Sequence, residues 1–87
     1  MTYQIVLRPA AKRNLKRLPK EVQIRVSKRI SQLRSDPRPP GAEKLEGAEQ
    51  TYRIRIGDYR VLYEIHKKKV LIVIIRIRHR GDVYKKR

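Results

Sequence analysis

Arginine and isoleucine alternate along two segments in the second half of the chain, and this alternation constrains the fold more than any other feature. Residues 52–60 have the sequence Tyr-Arg-Ile-Arg-Ile-Gly-Asp-Tyr-Arg, and residues 76–80 have the sequence Arg-Ile-Arg-His-Arg. Side chains on a β-strand alternate between the two faces of a sheet, so both segments predict strands with an isoleucine face and an arginine face. Like charges on neighbouring strands destabilise a sheet. We therefore expect the arginine face to hold a polyanion.

The net charge indicates the same kind of partner. The 87 residues include 24 Lys and Arg against eight Asp and Glu, which gives a formal net charge of +16. Solubility in a small domain needs a net charge of only about 2–8, and self-repulsion at higher charge destabilises the compact state. Nucleic acid is the partner that we expect first. An anionic membrane is a weaker candidate, because the chain has neither Trp nor Phe to anchor an interfacial helix.

Length and cysteine content exclude several classes of protein. We expect one domain over residues 1–87, near the lower size limit for chains that fold without disulfides or metals. The chain has no cysteine and only two histidines, so neither a disulfide framework nor a zinc site is expected. The longest apolar run, residues 70–75, is far too short to span a membrane, and the N-terminus does not resemble a signal peptide. These features predict a cytoplasmic protein without a metal or cofactor.

The first half of the chain predicts one strand and two helices. Residues 2–7 alternate as a short strand, and helices follow over about residues 9–18 and 19–35, separated by Pro19. Each helix has an apolar stripe with the spacing of three and four residues that buries one helix face. The stripe positions are Ala11, Leu15 and Leu18 in the first helix, and Val22, Val26, Ile30 and Leu33 in the second.

The second half predicts three strands. They follow a segment over residues 42–50 that periodicity leaves ambiguous, and in which Leu45 is expected to point inward. Gly57 and Asp58 favour a tight turn between the first two strands. The predicted fold is α+β in the order β-α-α-β-β-β: a small antiparallel sheet with the helical hairpin packed on one face and the arginine face exposed on the other. The predicted strands cover about residues 51–57, 59–66 and 69–78.

Strict alternation also predicts the face of the sheet on which other side chains of these strands lie. Leu62, Ile72 and Ile74 share the parity of the arginines, so part of the arginine face is expected to be apolar. Such a surface could form the bottom of a groove or bind the hydrophobic segment of a partner. His79 is expected on the face opposite Arg78.

Three segments of the chain carry a family resemblance. They are Leu45-Glu46-Gly47, residues 52–60 and residues 78–84, of which the last contains a closing histidine-arginine-x-x-x-tyrosine pattern. In this order of elements they resemble the RelE/ParE superfamily of toxins from toxin–antitoxin modules, on its RelE-like branch. The likeness covers nearly the whole chain. It implies an endoribonuclease that cuts messenger RNA in the ribosomal A site without a metal, and that a co-expressed RelB-like antitoxin silences.

The resemblance also implies catalytic residues, mostly cations of the arginine face. In the best-known relatives the basic pair on the first hairpin strand is lysine, whereas this chain has Arg53 and Arg55. Arginine cannot be deprotonated in a protein, so this pair is expected to neutralise phosphate and not to take a proton. The general base is then a different residue. The positions that match the family pattern are Arg53, Arg55, Arg60, Tyr84, and Arg78 or, under a shifted alignment, Arg80.

Several residues are candidates for the general base or acid. His79 is a candidate because histidine is the residue type best suited to acid–base catalysis at neutral pH, but strict alternation places it away from the arginines. Glu46 and Glu49 lie in the ambiguous segment, where some relatives use an acidic base. Glu64 is expected to neutralise an arginine, and His66, beside three lysines, to be a solvated surface residue.

Other cations are candidates for wider contacts with ribosomal RNA, and four of them lie on the helices. Two alternatives to the nuclease use the same charge. A ParE-like toxin would inhibit DNA gyrase and cut no RNA, and a non-catalytic nucleic-acid-binding module would need neither Arg60 nor Tyr84. The predicted RNA-binding residues are Arg76, Arg80, Lys12, Lys16, Arg25 and Lys28.

Overall fold

Two helices and five strands form over residues 2–79, the part of the chain that the computed structural model describes. The strands make one sheet in the order β1-β5-β4-β3-β2. The helices are α1 (Pro9–Lys16) and α2 (Lys20–Gln32); the strands are β1 (Gln4–Leu7), β2 (Glu43–Lys44), β3 (Thr51–Ile56), β4 (Tyr59–His66) and β5 (Leu71–His79).

The predicted α+β order is confirmed, with the two-residue strand β2 added at one edge of the sheet. Strands β3, β4 and β5 are antiparallel neighbours, as expected. Strand β1, however, pairs with β5 in parallel, from Gln4 opposite Leu71 to Leu7 opposite Ile74. Parallel pairing needs a long connection, and the helices and the β3–β4 hairpin between these strands provide it. The sheet is therefore mixed and not wholly antiparallel.

The core lies between the helices and one face of the sheet, and it contains the predicted helix stripes. Ala11, Val26 and Leu33 are fully buried, whereas Ile24, which falls off the stripe, is 63% exposed. Burial of one large aliphatic side chain contributes roughly 1.5–3 kcal/mol. The sheet contributes the isoleucine face of its long strands, namely Ile54, Ile56, Val61, Tyr63, Ile65, Ile72, Ile74 and Ile77.

Both helices end earlier than the periodicity predicts. Helix α1 ends at Lys16 and α2 at Gln32, while the last stripe residues, Leu18 and Leu33, pack from the turns that follow. The Leu33 N–H donates to the Ile30 carbonyl at 3.0 Å, a bond over three residues that tightens the final turn. Within residues 2–79, neither helix has the length and apolar character needed to cross a bilayer.

A β-bulge in β5 changes the faces that strict alternation assigns. Between Leu62 and Tyr63 of β4, the paired position on β5 moves from Arg76 to Ile74. Ile75 is therefore an extra residue, and a bulge of this kind shifts the alternation of the strand by one.

The expected placement of Ile72 and Ile74 on the arginine face is consequently wrong. Both side chains are fully buried in the core. Alternation resumes after the bulge, so Ile77 is also buried at 3% exposure, while Arg76 and Arg78 lie on the other face. One strand thus places apolar side chains in the core on both sides of the bulge and still presents its arginines outward.

Candidate functional site

Five arginines lie together on the sheet face that the helices leave uncovered. Cross-strand pairing sets Arg55 opposite Arg60 and Arg60 opposite Arg78, so these three form one row across β3, β4 and β5. Directly opposed residues have Cβ atoms about 4.5–5.5 Å apart, so the row concentrates three positive charges within roughly 10 Å. Among the described residues, the arginine face comprises Arg53, Arg55, Arg60, Arg76 and Arg78.

The second row of this face carries a carboxylate. Leu62 pairs with Arg53 on one side and with Arg76 on the other. Arg53 is in turn opposite Glu43 of the edge strand β2. Its guanidinium Nη2 donates a hydrogen bond to Glu43 Oε1 and forms an ion pair with it. That hydrogen bond and the charge of Arg53 lower the pKa of Glu43, so this carboxylate is ionised at neutral pH.

A cavity of about 400 Å³ opens between the two rows. Its volume lies in the range of about 300–1,000 Å³ that is typical of ligand pockets. Leu45 lines this cavity and is half-buried, so the expectation that it points into the core is wrong. It continues the alternation of Glu43, which faces the arginines. The lining residues are Leu45, Leu62, Ile75, Arg53, Arg60, Arg76 and Arg78.

Most of the positive charge on the arginine face is not neutralised within the described chain. Among residues 2–79, Arg53 is the only one of the five arginines that forms an ion pair. Its Nε–H is buried without a hydrogen-bond partner, a condition that costs about 1–3 kcal/mol. An anion with several oxygen atoms would satisfy these donors through bidentate guanidinium hydrogen bonds.

Glu64 lies on the same side of the sheet but farther along β4. Its Oε1 is 2.9 Å from His66 Nε2 and 3.8 Å from Arg8 Nη2. The arginine that it pairs with, Arg8, is outside the two rows, so the expectation that Glu64 neutralises one of the arginines of this face is wrong. His66, expected to be solvated, is half-buried. Within residues 2–79 no three histidine or carboxylate side chains are arranged to hold a metal ion.

His79 lies away from the arginine rows, on the face that strict alternation predicts. It is exposed, and its ring meets the ring of Tyr59 edge-on, with centroids 4.9 Å apart and 75° between the planes. Tyr59 is its cross-strand partner and has the opposite parity to Arg60. The remaining predicted residues of this segment, Arg80 and Tyr84, lie outside the described residues.

The predicted RNA-binding residues of the helices lie on the other side of the sheet, with one partial exception. Arg25 reaches the turn between β3 and β4, where its Nη1 is 3.1 Å from the position that a Cβ on Gly57 would occupy. Arg55 and Arg60 flank the same turn. The other three are exposed along α1 and α2; they are Lys12, Lys16 and Lys28.

Asn14 of α1 holds the end of β5 that carries two of the arginines. Strand β1 pairs with β5 only as far as Ile74. Beyond that point, Asn14 Oδ1 accepts a hydrogen bond from the Ile77 N–H at 3.1 Å. Ile77 stands between Arg76 and Arg78, so a helix side chain fixes the backbone from which both guanidinium groups extend.

Sequence reasoning did not identify Glu43 or Asn14 as site residues. Strand β2 has only two residues, which is too short for alternation to show which face Glu43 occupies. Asn14 contacts a residue 63 positions later in the chain, and no local pattern encodes such a contact.

Comparison with known proteins gives a consistent result. Residues 5–84 match the family model described as the ParE toxin of the type II toxin–antitoxin system parDE. Toxin RelG of Mycobacterium tuberculosis is 30% identical over 87 residues, which cover 99% of this chain and 100% of the relative.

Solved structures agree in fold. The archaeal RelE–RelB complex from Pyrococcus horikoshii OT3 contains a chain with a TM-score of 0.82 and 34% identity, covering 93% of this chain and 98% of that one. The toxin–antitoxin complex RelBE2 from Mycobacterium tuberculosis contains a chain with a TM-score of 0.81 and 28% identity, covering 92% and 100% respectively.

Proposed function

Because the chain belongs to the RelE/ParE superfamily of type II toxin–antitoxin toxins, on its RelE-like branch, we propose that it is an endoribonuclease that cuts messenger RNA in the ribosomal A site. All 87 residues then form one toxin domain. The observation that carries the proposal is the row of Arg55, Arg60 and Arg78 on three adjacent strands. Cleavage of RNA needs several cations around a single phosphate, and this row supplies them.

The proposed reaction needs no metal. The 2′-hydroxyl oxygen attacks the adjacent phosphorus, and the bond from phosphorus to the 5′-oxygen of the next nucleotide breaks. The arginines stabilise the additional negative charge of the phosphorane between these two events. Each well-placed donor is worth about 2.7–4 kcal/mol, by analogy with oxyanion-hole donors. Guanidinium groups stay protonated throughout, so they bind phosphate but do not transfer protons.

Glu43 is the proton acceptor in this proposal. Its carboxylate lies beside Arg53, and its lowered pKa keeps it ionised. A phosphate that binds Arg53 competes for the same guanidinium donors and frees Glu43 to accept the 2′-hydroxyl proton. A low pKa makes a carboxylate a weak base, so position must contribute much of its effect. Tyr84, which the family pattern implies, is the candidate to protonate the leaving 5′-oxygen.

We infer a RelB-like antitoxin as the partner that blocks this site. Two of the similar solved toxins, those from Mycobacterium tuberculosis and Pyrococcus horikoshii OT3, are in complexes with antitoxins. On the outer face of the sheet, Val6 is 49% exposed and pairs with Val73, in a region next to the cavity-lining residues Leu62 and Ile75. An acidic and partly apolar antitoxin segment would cover both the valines and the arginines, and would exclude phosphate.

Primer extension on a message translated in vitro tests the proposed function. The protein should cut ribosome-bound message, and Arg60→Ala and Arg78→Ala should each slow cutting by about 100- to 1,000-fold, the effect of losing one such donor. Arg34→Ala is the matched control, since Arg34 is an exposed arginine after α2, outside the site. Thermal unfolding would verify that the variants fold. Undiminished cutting by both site variants would contradict the assignment of the site.

Inhibition of DNA gyrase is the second candidate function, because the matching family model is that of ParE toxins. A supercoiling assay separates the two functions. If free and ribosome-bound message both stay intact while supercoiling is inhibited, the gyrase function replaces the nuclease. Glu43→Gln discriminates further, since a general base matters for cutting RNA and not for inhibiting gyrase by binding.

A further inference from the structure

The turn between β4 and β5 is built from residues that turns do not favour. Lys67–Lys69 form a single 3₁₀ turn, and Val70 closes it with φ 50° and ψ 50°. This left-handed conformation costs about 1–2 kcal/mol for an L-residue, and a β-branched residue there is an outlier. Val70 is the only residue other than glycine with a positive φ among residues 2–79. Backbone strain of this kind collects at functional sites.

The same turn carries a concentration of charge that folding does not require. Among residues 2–79, no carboxylate forms an ion pair with any of its three lysines. These lysines line a cavity of about 560 Å³ together with Arg38 and Lys44, and Glu49 is the only acidic residue in the lining. Five cations therefore face one carboxylate, which favours an anionic ligand with more than one charge.

The cavity also presents an aromatic ring held in a fixed position. Tyr52 lines it and stacks on Tyr63, with centroids 6.0 Å apart and 28° between the planes. Tyr63 is fully buried, and its hydroxyl donates to the Pro37 carbonyl at 2.6 Å. Burial raises the pKa of Tyr63 to about 12, so the phenol stays a donor. A rigid ring beside cations is the combination that binds single-stranded nucleic acid, by stacking a base and pairing phosphates.

This lysine cavity shares no lining residue with the arginine cavity, although its Lys44 and Tyr52 are chain neighbours of Leu45 and Arg53. His66, which lines it, is six residues from Arg60 along β4, a distance of about 20 Å at 3.3 Å per residue. Two further lining residues, Tyr52 and Ile65, belong to the isoleucine side of the sheet. One strand of RNA in the arginine cavity would therefore leave the lysine cavity open to another segment.

We propose that the lysine cavity binds a single-stranded segment of RNA other than the strand that is cut. The backbone phosphates would pair with Lys67 and Lys69, and a base would stack against Tyr52. The inference rests on the proposed function in taking RNA as the polyanion. The cavity would add affinity and fix the orientation of the toxin without taking part in the chemistry.

Binding of a fluorescein-labelled RNA of ten nucleotides tests the inference. Every nucleotide carries a 2′-O-methyl group, so the nucleophile is blocked and the RNA is not cut. The full chain would carry Arg60→Ala and Arg78→Ala, which weaken binding at the arginine face. In this background, Lys67→Gln with Lys69→Gln should make the negative slope of log affinity against log salt shallower by about 1.4, or about 0.7 for each lost phosphate contact. Tyr52→Leu should weaken binding by about 5- to 150-fold, the loss expected for one stacked base.

The matched control is Lys20→Gln with Arg34→Gln, which removes two exposed cations outside both cavities. Equal affinities and salt slopes for the two double variants would overturn the inference. The inference would also fail if Lys67→Gln with Lys69→Gln left RNA binding unchanged but abolished binding of an acidic antitoxin peptide. Cutting of ribosome-bound message by Lys67→Gln with Lys69→Gln should still reach completion at high protein concentration. If the cavity binds RNA but the unmodified protein cuts no message, the proposed function fails and this inference stands.

Discussion

At the scale of single residues, the site depends on side chains that come from distant parts of the chain. Asn14→Ala would remove the acceptor for the buried Ile77 N–H and should lower the free energy of unfolding by about 1–3 kcal/mol. Message cutting should fall as well, through kcat and not KM, because Arg76 and Arg78 flank Ile77. Urea denaturation and single-turnover cutting measure the two effects.

Asn14→Asp is the matched variant, because it keeps an oxygen acceptor of the same shape and should restore both stability and cutting. Wild-type cutting by Asn14→Ala, together with the expected loss of stability, would show that Asn14 holds the fold but does not position the arginines.

The assignment of Glu43 as base has a pH signature. The hydrogen bond and charge of Arg53 lower the pKa of Glu43 below its ordinary value of 4.5. The stability that this pair contributes is therefore fully present above pH 4.5 and is lost as the pH falls through the lower folded-state pKa. The rate of cutting should likewise stay level around neutral pH and fall only in acid. A fall within the neutral range would instead indicate a histidine as the base.

At the scale of elements, the β3–β4 turn joins the two strands that carry most of the arginine row. Gly57 has φ 60°, and a Cβ there would lie 3.1 Å from Arg25 Nη1. Gly57→Ala should cost about 1–2 kcal/mol from the backbone alone, and the melting temperature should fall by roughly 4–8 °C per kcal/mol. A thermal melt measures the loss. In an Arg25→Ala background the loss should be the same, because Arg25 Nη1 ends a flexible, exposed side chain that can move away from the added methyl group; a smaller loss there would show that Arg25 is held against the turn.

The elements with long periodic signals were predictable from the sequence. The helix stripes at Ala11, Val26 and Leu33 are buried as their spacing indicates, and the hairpin at Gly57 is where its turn residues place it. Features set by long-range pairing were not predictable. The parallel pairing of β1 joins segments far apart in the chain, and the strand at Glu43 and the extra residue in β5 depend on the register in which neighbouring strands pair.

The residues of the candidate site likewise divide into those that periodicity predicts and those that depend on strand pairing. Period two was sufficient to predict the row of Arg55, Arg60 and Arg78, because each of these arginines keeps its parity within its own strand. The pair of Arg53 with Glu43 needed the edge strand, which has no periodic signal of its own. The cationic part of the site could therefore be predicted from the sequence, and its carboxylate could not.

At the scale of the whole molecule, the 87 residues carry a formal net charge of +16, and the described part of the chain spans only about 35 × 30 × 25 Å. The Debye length falls from about 30 Å at 0.01 M salt to about 8 Å at 0.15 M, so at low salt nearly all of these charges repel one another. The melting temperature should therefore rise with sodium chloride over this range. Single-stranded RNA should raise it further at equal ionic strength, because RNA binds the folded state. A melting temperature that falls with added salt would contradict self-repulsion as a main destabilising term.

The extra residue in β5 has a genetic consequence. Without Ile75 the strand would alternate without interruption, with Ile72, Ile74 and Ile77 still facing the core and Arg76 and Arg78 still facing outward. Loss of this single in-frame codon would thus keep both faces of the strand and remove only one apolar side chain from the lining of the arginine cavity. In cells that have lost the antitoxin gene, deletion of codon 75 would therefore be a poor mutational route to survival.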